Sequence, residues 1–336
     1  MTVRILFATT ASLLFATPAF AHHPGAPGNA NTTGAINTLS ATPAEKGGFS
    51  VGFVYESTTF DALSDEMLEA AAAEAALAGH AHVHSLDELR SAALGFSYGL
   101  TDNVTLSVRL PYLMRDGVRT GHFHGGVPEV EAEGGSSDIG DIATLLQWRV
   151  MVGESTDVSL FGGVKAPTGE DDVRNDFGDV FSTEFQPGSG SWDFTLGAAV
   201  TRRAAHWSFD ASALYTFAGE NDEDADLGDR LAYGAAISYR VIGHPPAHQH
   251  LGIGEHSHWG VDLVLELNGE WHDEAAEGGE TDPNSGGNVV FLSPGVRVVH
   301  DNWAGYFTAG VPVINEMNGV QAEPDLRLTA GVSRSF

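Results

Sequence analysis

The residues best suited to chemistry in this chain are its histidines. All 15 come after residue 21, and most lie in short clusters. Neutral imidazole is a common ligand for Zn²⁺, Cu²⁺ and Ni²⁺, and two histidines separated by one residue in an extended segment place both rings on one side. The clustered histidines are therefore candidate ligands for Zn or Cu: His22, His23, His80, His82, His84, His122, His124, His248, His250, His256 and His258.

The pattern favours weak, exchangeable capture of metal by loops over a catalytic centre. The chain has no Cys, and no cluster has the spacing of a closed structural zinc site. Acidic neighbours such as Asp87, Glu88, Glu129 and Glu131 could add oxygen ligands or attract cations. The alternative is that loops tolerate histidine and that none of these residues forms a site. We also expect no enzyme and no required cofactor, because no nucleophile and base are paired in the sequence.

The chain has a large excess of acidic residues. It contains 45 Asp and Glu against 16 Lys and Arg, which gives a net charge of −29. Nucleic acid needs a basic binding surface, so this composition argues against nucleic-acid partners. The charge fits a surface that attracts cations, or equally an adaptation to a salty environment.

The first 21 residues have the layout of a secretory signal peptide. Arg4 precedes an apolar run over 5–15, and Ala19-Phe20-Ala21 forms a small-x-small cleavage site. This run is too short to span a bilayer, and no later segment approaches the roughly 20 apolar residues of a membrane helix. We expect 1–21 to be removed on export.

Most of the chain alternates between apolar and polar residues, which predicts strands with one apolar and one polar face. The last strand ends on Phe336 and is typical of the closing strand of an outer-membrane barrel, which must pair with the first strand because lipid tolerates no open edge. The predicted strands are 48–60, 88–101, 103–117, 138–152, 156–169, 190–203, 206–219, 230–243, 259–274, 288–301, 303–317 and 325–336.

The connections and the tryptophans favour the same fold. Long connections alternate with short ones, apart from 244–258, and all six Trp lie near predicted strand ends. The sequence therefore predicts an all-β, transmembrane antiparallel up-and-down β-barrel of about 12 strands over 48–336, in the outer membrane of a bacterium. We expect residues 22–47 to form a periplasmic leader or a small plug, and a short helix over the outer mouth from Asp65 to Leu77. Expected partners are outer-membrane lipid and, through Phe336, the barrel assembly machinery.

The inward positions of these strands carry charges of both signs. They form either a ladder of ion pairs that stabilises the wall or a narrow polar channel that sorts small solutes. The residues predicted to line the lumen are Arg109, Arg149, Lys165, Asp193, Asp210, Arg230, Arg240, Asp262, Glu266, Glu270, Arg297 and Arg327.

Three motifs carry a resemblance to a known family. They are Ser137-Asp138-Ile139-Gly140-Asp141-Ile142, then Gly163-Val164-Lys165-Ala166-Pro167-Thr168-Gly169, then Gln186-Pro187-Gly188-Ser189-Gly190-Ser191-Trp192-Asp193. In this order they resemble the outer-membrane barrels grouped as transporters of the meta-pathway of phenol degradation. The resemblance covers most of the mature chain in layout and implies a channel or transporter for small solutes, loosely related to barrels that pass hydrophobic compounds. The alternative that we weigh against it is a metal-handling barrel whose histidine-rich loops capture or pass divalent cations.

Overall fold

The structure, a computed structural model, describes residues 34–78, 82–243 and 259–336. Twelve antiparallel strands form one closed barrel, as the sequence predicted. The wall strands are β1 (Phe49–Asp61), β3 (Glu88–Thr101), β4 (Val104–His124), β6 (Ile142–Val152), β7 (Thr156–Ala166), β8 (Asp193–Ala204), β9 (Trp207–Phe217), β11 (Arg230–Ile242), β12 (Trp259–His272), β15 (Gly287–His300), β16 (Trp303–Met317) and β17 (Glu323–Ser335).

The remaining elements lie in the long connections at one end of the barrel. They are α1 (Asp65–Ala78), β2 (His82–Ser85), β5 (Val127–Ile139), a 3-10 helix (Thr183–Phe185), β10 (Ala225–Asp226), β13 (Ala276–Glu277) and β14 (Glu280–Thr281). α1 confirms the predicted helix. Both ends of the described barrel sequence, Phe49 and Phe336, lie at the opposite end with the short turns, which is the periplasmic end of such barrels. None of the described helices is long and apolar enough to cross a membrane.

The first and last strands close the barrel. β1 pairs with β17 from Ser50↔Ser335 to Asp61↔Glu323. The backbone N–H of Phe336 donates to the carbonyl oxygen of Phe49 at 2.7 Å. This β1–β17 pairing, which we call the closing seam, leaves no unpaired strand edge facing lipid, where an unsatisfied peptide group would cost several kcal/mol.

The outer surface of the wall is apolar because alternate residues of every strand point outward. Five of the six tryptophans are exposed near strand ends, and Trp271 is half-buried. Indole rings at this depth lie at the membrane–water interface, so the barrel is built for the bacterial outer membrane. Representative exposed apolar residues of this outer surface are Phe53, Leu94, Leu106, Leu160, Leu196, Leu265 and Val332.

One connection differs from the prediction. Residues 118–137 do not form an irregular loop, because β4 and β5 extend beyond the wall as a hairpin. Gly125 and Gly126, both with positive φ, close that hairpin, which is the conformation that two-residue hairpin turns require. A Gly-Gly pair between alternating segments is a hairpin signal that could have been recognised in the sequence.

The fourth strand is also interrupted where the prediction had one strand over 138–152. β5 ends at Ile139 and β6 begins at Ile142. β4 therefore pairs with β5 in its half towards the outer mouth and with β6 in its half towards the periplasm. At the break, the Gly140 N–H donates to the carbonyl oxygen of Pro111 at 2.9 Å. The fifth strand likewise ends at Ala166 and not at 169, because Pro167 has no N–H to continue the ladder.

A cysteine pair tests the register of the closing seam. Ser57 faces Leu328 across it, and directly opposed residues have Cβ atoms about 4.5–5.5 Å apart, near disulfide range. The chain has no Cys, so the folded Ser57→Cys/Leu328→Cys variant should oxidise nearly completely, as measured by mass spectrometry without reductant. The Ser57→Cys/Leu326→Cys control should stay reduced, since Leu326 faces Thr59. Equal oxidation of both pairs would contradict this register.

Candidate functional site

The candidate site is the barrel lumen. The structure places the charged residues singled out from the sequence on the inner face of the wall or at its periplasmic rim: Arg109, Arg149, Lys165, Asp193, Asp210, Arg230, Arg240, Asp262, Glu266, Glu270, Arg297 and Arg327. Sequence analysis missed five further inward charges: Glu56, Arg115, Asp141, Asp157 and Arg203. The alternation Phe53-Val54-Tyr55-Glu56 could have identified the first of them, since Phe53 and Tyr55 face lipid.

Many of the inward charges form ion pairs at successive depths. Near the outer end, the Nζ atom of Lys165 lies 2.9 Å from a carboxylate oxygen of Asp193, which also accepts from Arg230 at 2.8 Å. At the next pair, Arg327 donates to both oxygens of Glu270, at 2.6 and 3.1 Å.

Two more pairs lie towards the periplasmic end of the wall. Arg240 is paired with Asp262, and both side chains are buried. At the rim, Asp157 bridges Arg203 at 3.1 Å and Arg149 at 3.7 Å. Removing one partner of the buried Arg240–Asp262 pair would leave an uncompensated charge at a cost of about 3–5 kcal/mol, so each of these two side chains requires the other.

Residues 34–47, which we call the plug, run from the interior of the barrel to its periplasmic rim, where residues 45–47 are exposed. The anchor of the plug is the Glu266 carboxylate on β12, which accepts the backbone N–H groups of Ile36 at 2.7 Å, Asn37 at 2.9 Å and Thr38 at 3.3 Å. Glu266 is 1% exposed. A charged acceptor strengthens each of these bonds, so this one side chain fixes the innermost described part of the plug.

Wall hydroxyls and amides hold the rest of the plug. The Leu39 N–H donates to Ser212 Oγ at 3.2 Å, and the Ala41 N–H donates to Thr201 Oγ1 at 2.8 Å. Gln147 Nε2 donates to the Ser40 carbonyl oxygen at 3.0 Å. The plug is therefore attached mainly by polar contacts, with a smaller apolar contribution where Ala41 and Leu39 pack in a cluster with wall residues.

The three motifs of the sequence analysis meet at Asp141. One carboxylate oxygen accepts the backbone N–H groups of Thr168 and Gly169, at 3.0 and 2.9 Å. The other accepts the N–H and the hydroxyl of Ser189, at 2.9 and 2.8 Å. Asp141 also lies 3.3 Å from Lys165 Nζ. The side chain of the first motif thus ties the second and third motifs together, and we call this assembly the Asp141 cluster.

Glycines allow the same segments to touch backbone to backbone. A Cβ added to Gly188 would lie 2.6 Å from the carbonyl carbon of Gly169, and one added to Gly169 would lie 2.7 Å from that of Gly140. Only residues without a side chain fit at this separation. The contact directs the 167–192 connection into the outer mouth, where Phe185 is completely buried.

Two cavities lie along the lumen. The outer cavity has a volume of about 150 Å³ and lies between the Asp141 cluster and the middle of the barrel. The inner cavity has a volume of about 400 Å³ and is bounded by the plug, by wall residues such as Phe161 and Arg297, and by Phe336 at the rim. The plug lines the inner cavity, and residues of the Asp141 cluster line the outer one.

The described histidine cluster lies above the outer mouth. β2 pairs with β4 so that His82 faces His122, with ring centroids 6.0 Å apart. Burial, and then the neighbouring His122, lower the pKa of His82 to about 4. Burial also lowers the pKa of His84 to about 3, and the His84 ring makes a 2.8 Å hydrogen bond with Thr120.

Most of the other candidate metal ligands lie outside the part of the chain that the structure describes. His124 ends β4, while His22, His23, His80, His248, His250, His256 and His258 lie outside the described residues. Within the described ranges, no group of three or more His, Cys, Asp or Glu is arranged to hold a metal ion. The predicted metal sites therefore stay predictions.

Glu184 lies beneath these histidines, in the 3-10 helix of the 167–192 connection. Its carboxylate lies 3.6 Å from His84 Nε2, and both side chains are buried. Burial raises the pKa of Glu184 to about 7. At slightly acidic pH, Glu184 is therefore mostly protonated and His84 is neutral, so neither contributes a charge to the outer mouth.

Substitution of Gly188 tests the packing of this connection. Gly188→Val should displace it from the mouth, because the added Cβ meets backbone that cannot move aside. We expect cleavage after Glu184 by a glutamate-specific protease to accelerate at least about tenfold, while the barrel stays folded. The control is Gly162→Val, since a Cβ there meets nothing within 4 Å. Unchanged cleavage in Gly188→Val would show that the glycine contact does not hold the connection.

Comparison with known proteins places the chain in a family. Among solved structures it is similar to the COG4313 outer membrane channel from Pseudomonas putida F1, with 17% identity, a TM-score of 0.46, and coverage of 88% of this chain and 98% of that one. It is also similar to the CymD monoaromatic hydrocarbon channel, with 7% identity, a TM-score of 0.41, and coverage of 87% and 89%. No curated protein matches the chain in sequence. The model of one family matches residues 70–298, about two thirds of the chain, and the chain therefore belongs to the family described as "Putative MetA-pathway of phenol degradation".

Proposed function

We propose that this barrel is an outer-membrane channel for small solutes, including aromatic or hydrophobic compounds, and that the plug controls passage. The observation that carries the proposal is the attachment of the plug. Its backbone is bound by side chains of the wall, chiefly Glu266, Ser212 and Thr201. Hydrogen bonds contribute about 0.5–1.5 kcal/mol each between neutral groups and about 1.5–3 kcal/mol each to a charged group such as the Glu266 carboxylate, so breaking a handful of them can release the segment from the wall without unfolding the barrel.

The lining of the outer cavity supports the solute class. Apolar side chains of Leu89, Leu113 and Leu214 face the same space as Lys165 and Arg230. An apolar lining with a few fixed polar groups suits a small solute that has one apolar part. The family description refers to phenol degradation, which agrees with an aromatic solute of this kind.

Removing the anchor tests whether the plug controls the path. Glu266→Ala leaves three N–H groups of the plug without their acceptor, which should cost roughly 3 kcal/mol or more of plug attachment. We expect single-channel conductance of the refolded protein in planar bilayers to rise at least about threefold. The control is Glu154→Ala, which removes an exposed glutamate from a periplasmic turn. A folded Glu266→Ala barrel that conducts no better than the parent chain would contradict the proposal.

A second candidate function is capture of divalent cations at the outer mouth. The observation in its favour is the cross-strand pair of His82 and His122. The Nδ1 atom of His82 is buried and makes no hydrogen bond with a described residue. Glu129 and Glu131 lie 3.8 and 4.0 Å from His122 Nε2 and could add oxygen ligands. Two neutral imidazoles on opposed strands can chelate Zn²⁺ or Cu²⁺ after a small rotation of the rings.

Calorimetry tests this second candidate. Titration of the refolded chain with Zn²⁺ at pH 7 should show a site that is lost in His82→Ala, so the stoichiometry falls by one. The low pKa of His82 removes proton competition at that ring. His300→Ala, at a distant strand end, should leave the stoichiometry unchanged. Identical titrations of His82→Ala and the parent chain would exclude this pair as a site.

We also propose that Phe336 is the contact for barrel assembly. It directly follows the closing strand, it is 63% exposed, and its ring packs at a tilt against Phe49 with ring centroids 6.1 Å apart. An exposed terminal aromatic next to the seam is accessible to a factor that pairs with the last strand before β1 does.

A further inference from the structure

The outer cavity contains a buried cation that lacks a partner. Arg115, on the inner face of β4, is 4% exposed and lines this cavity. Its Nη1 atom is buried without a hydrogen bond, and among the described residues no hydrogen bond or ion pair reaches its guanidinium. A buried guanidinium without a counter-charge is expensive, so a native structure that keeps one requires an explanation.

The carboxylates of the cavity lining are already committed to other partners. Asp141 is bound by backbone N–H groups and Lys165, Asp193 by Lys165 and Arg230, and Glu270 by Arg327. The lining therefore contains four basic side chains and three acidic ones: Arg109, Arg115, Lys165 and Arg230 against Asp141, Asp193 and Glu270. The cavity has a net positive charge inside a protein whose net charge is −29.

The nearest acidic side chain does not supply the missing charge. Glu184 lies close enough to act on Arg115 electrostatically, but the two form no ion pair within the described structure. Arg115 is therefore available to an anion that enters the cavity.

The surface next to Arg115 is apolar. Pro111 and Leu113 precede Arg115 on the inner face of β4, and Leu89 on β3 is paired with Arg115 in the sheet. Buried Leu214 contributes to the lining of the same cavity. A cavity of about 150 Å³ with aliphatic walls accommodates one six-membered aromatic ring.

We propose that the outer cavity is a binding site for aromatic monocarboxylates, with the carboxylate on Arg115 and the ring against Leu89, Pro111 and Leu113. Arginine binds a carboxylate through two parallel N–H bonds, which fits a guanidinium whose donors are free. The proposal rests on the proposed channel function and names the solute class for which the channel holds a dedicated site.

Calorimetry with benzoate and benzyl alcohol, its neutral analogue, tests the proposal on the refolded full chain. We expect benzoate to bind the parent barrel at least about tenfold more tightly, because hydrogen bonds to charged groups contribute about 1.5–3 kcal/mol. Arg115→Gln should lose that preference and bind benzyl alcohol as before. Arg90→Gln is the matched control, since Arg90 lies on the neighbouring strand with its side chain partly exposed and paired with Asp116. It should bind benzoate like the parent chain.

Three results would overturn the proposal: no preference for benzoate in the parent barrel, an unchanged preference in Arg115→Gln, or an equal loss in Arg90→Gln. If Arg115→Gln weakens the binding of both benzoate and benzyl alcohol, the Arg115→Lys variant shows whether the positive charge matters. Recovery of benzoate binding in Arg115→Lys supports a role for the charge, and no recovery refutes it. Failure here is distinct from failure of the channel function. If only the binding site is wrong, Glu266→Ala barrels conduct better than the parent chain but benzoate binds no more tightly than benzyl alcohol. If the channel function is wrong, Glu266→Ala barrels conduct no better than the parent chain.

Discussion

Hydrocarbon offers a peptide group no hydrogen-bond partner, and the rest of this structure depends on that constraint. A strand can enter the bilayer only if every N–H and carbonyl is paired with another strand, so the sheet has to close. Closure is achieved between β1 and β17, and Phe336 pairs with Phe49 at the rim. Once the wall is closed, alternation along each strand separates an apolar exterior from an interior of small, polar and charged side chains.

The same alternation creates a problem inside the barrel. Twelve strands enclose more space than side chains alone fill, and the inward charges need partners in a narrow lumen. Part of the solution is the ladder of ion pairs, such as Arg327 with Glu270. The other part is backbone. Glu266 binds N–H groups of the plug, and Asp141 binds those of the segments around Gly169 and Ser189. Two carboxylates thus hold the plug and the Asp141 cluster inside the barrel.

The sequence was informative where a pattern is local. Alternation, the placement of the tryptophans and the parity of connection lengths predicted the closed barrel and its strand count, and a run of strong helix formers predicted α1. It also pointed to the motifs around Gly140, Gly169 and Gly188, although not to their contact. That contact joins residues far apart in the chain through backbone separations that no spacing reveals. Arg115 has the same parity as Arg109 in the predicted strand 103–117, so alternation could have placed it in the lumen, whereas its lack of an ion-pair partner is visible only in the folded cavity.

Reversible locking of the plug tests the central claim most directly, namely that the lumen is a solute path controlled by this segment. Ser40 Oγ lies 3.0 Å from Thr201 Oγ1, and the chain has no Cys of its own. In planar bilayers, the single-channel conductance of the Ser40→Cys/Thr201→Cys variant should be suppressed under oxidising conditions and should recover with reductant. Conductance that is the same in the locked and reduced states would contradict the account.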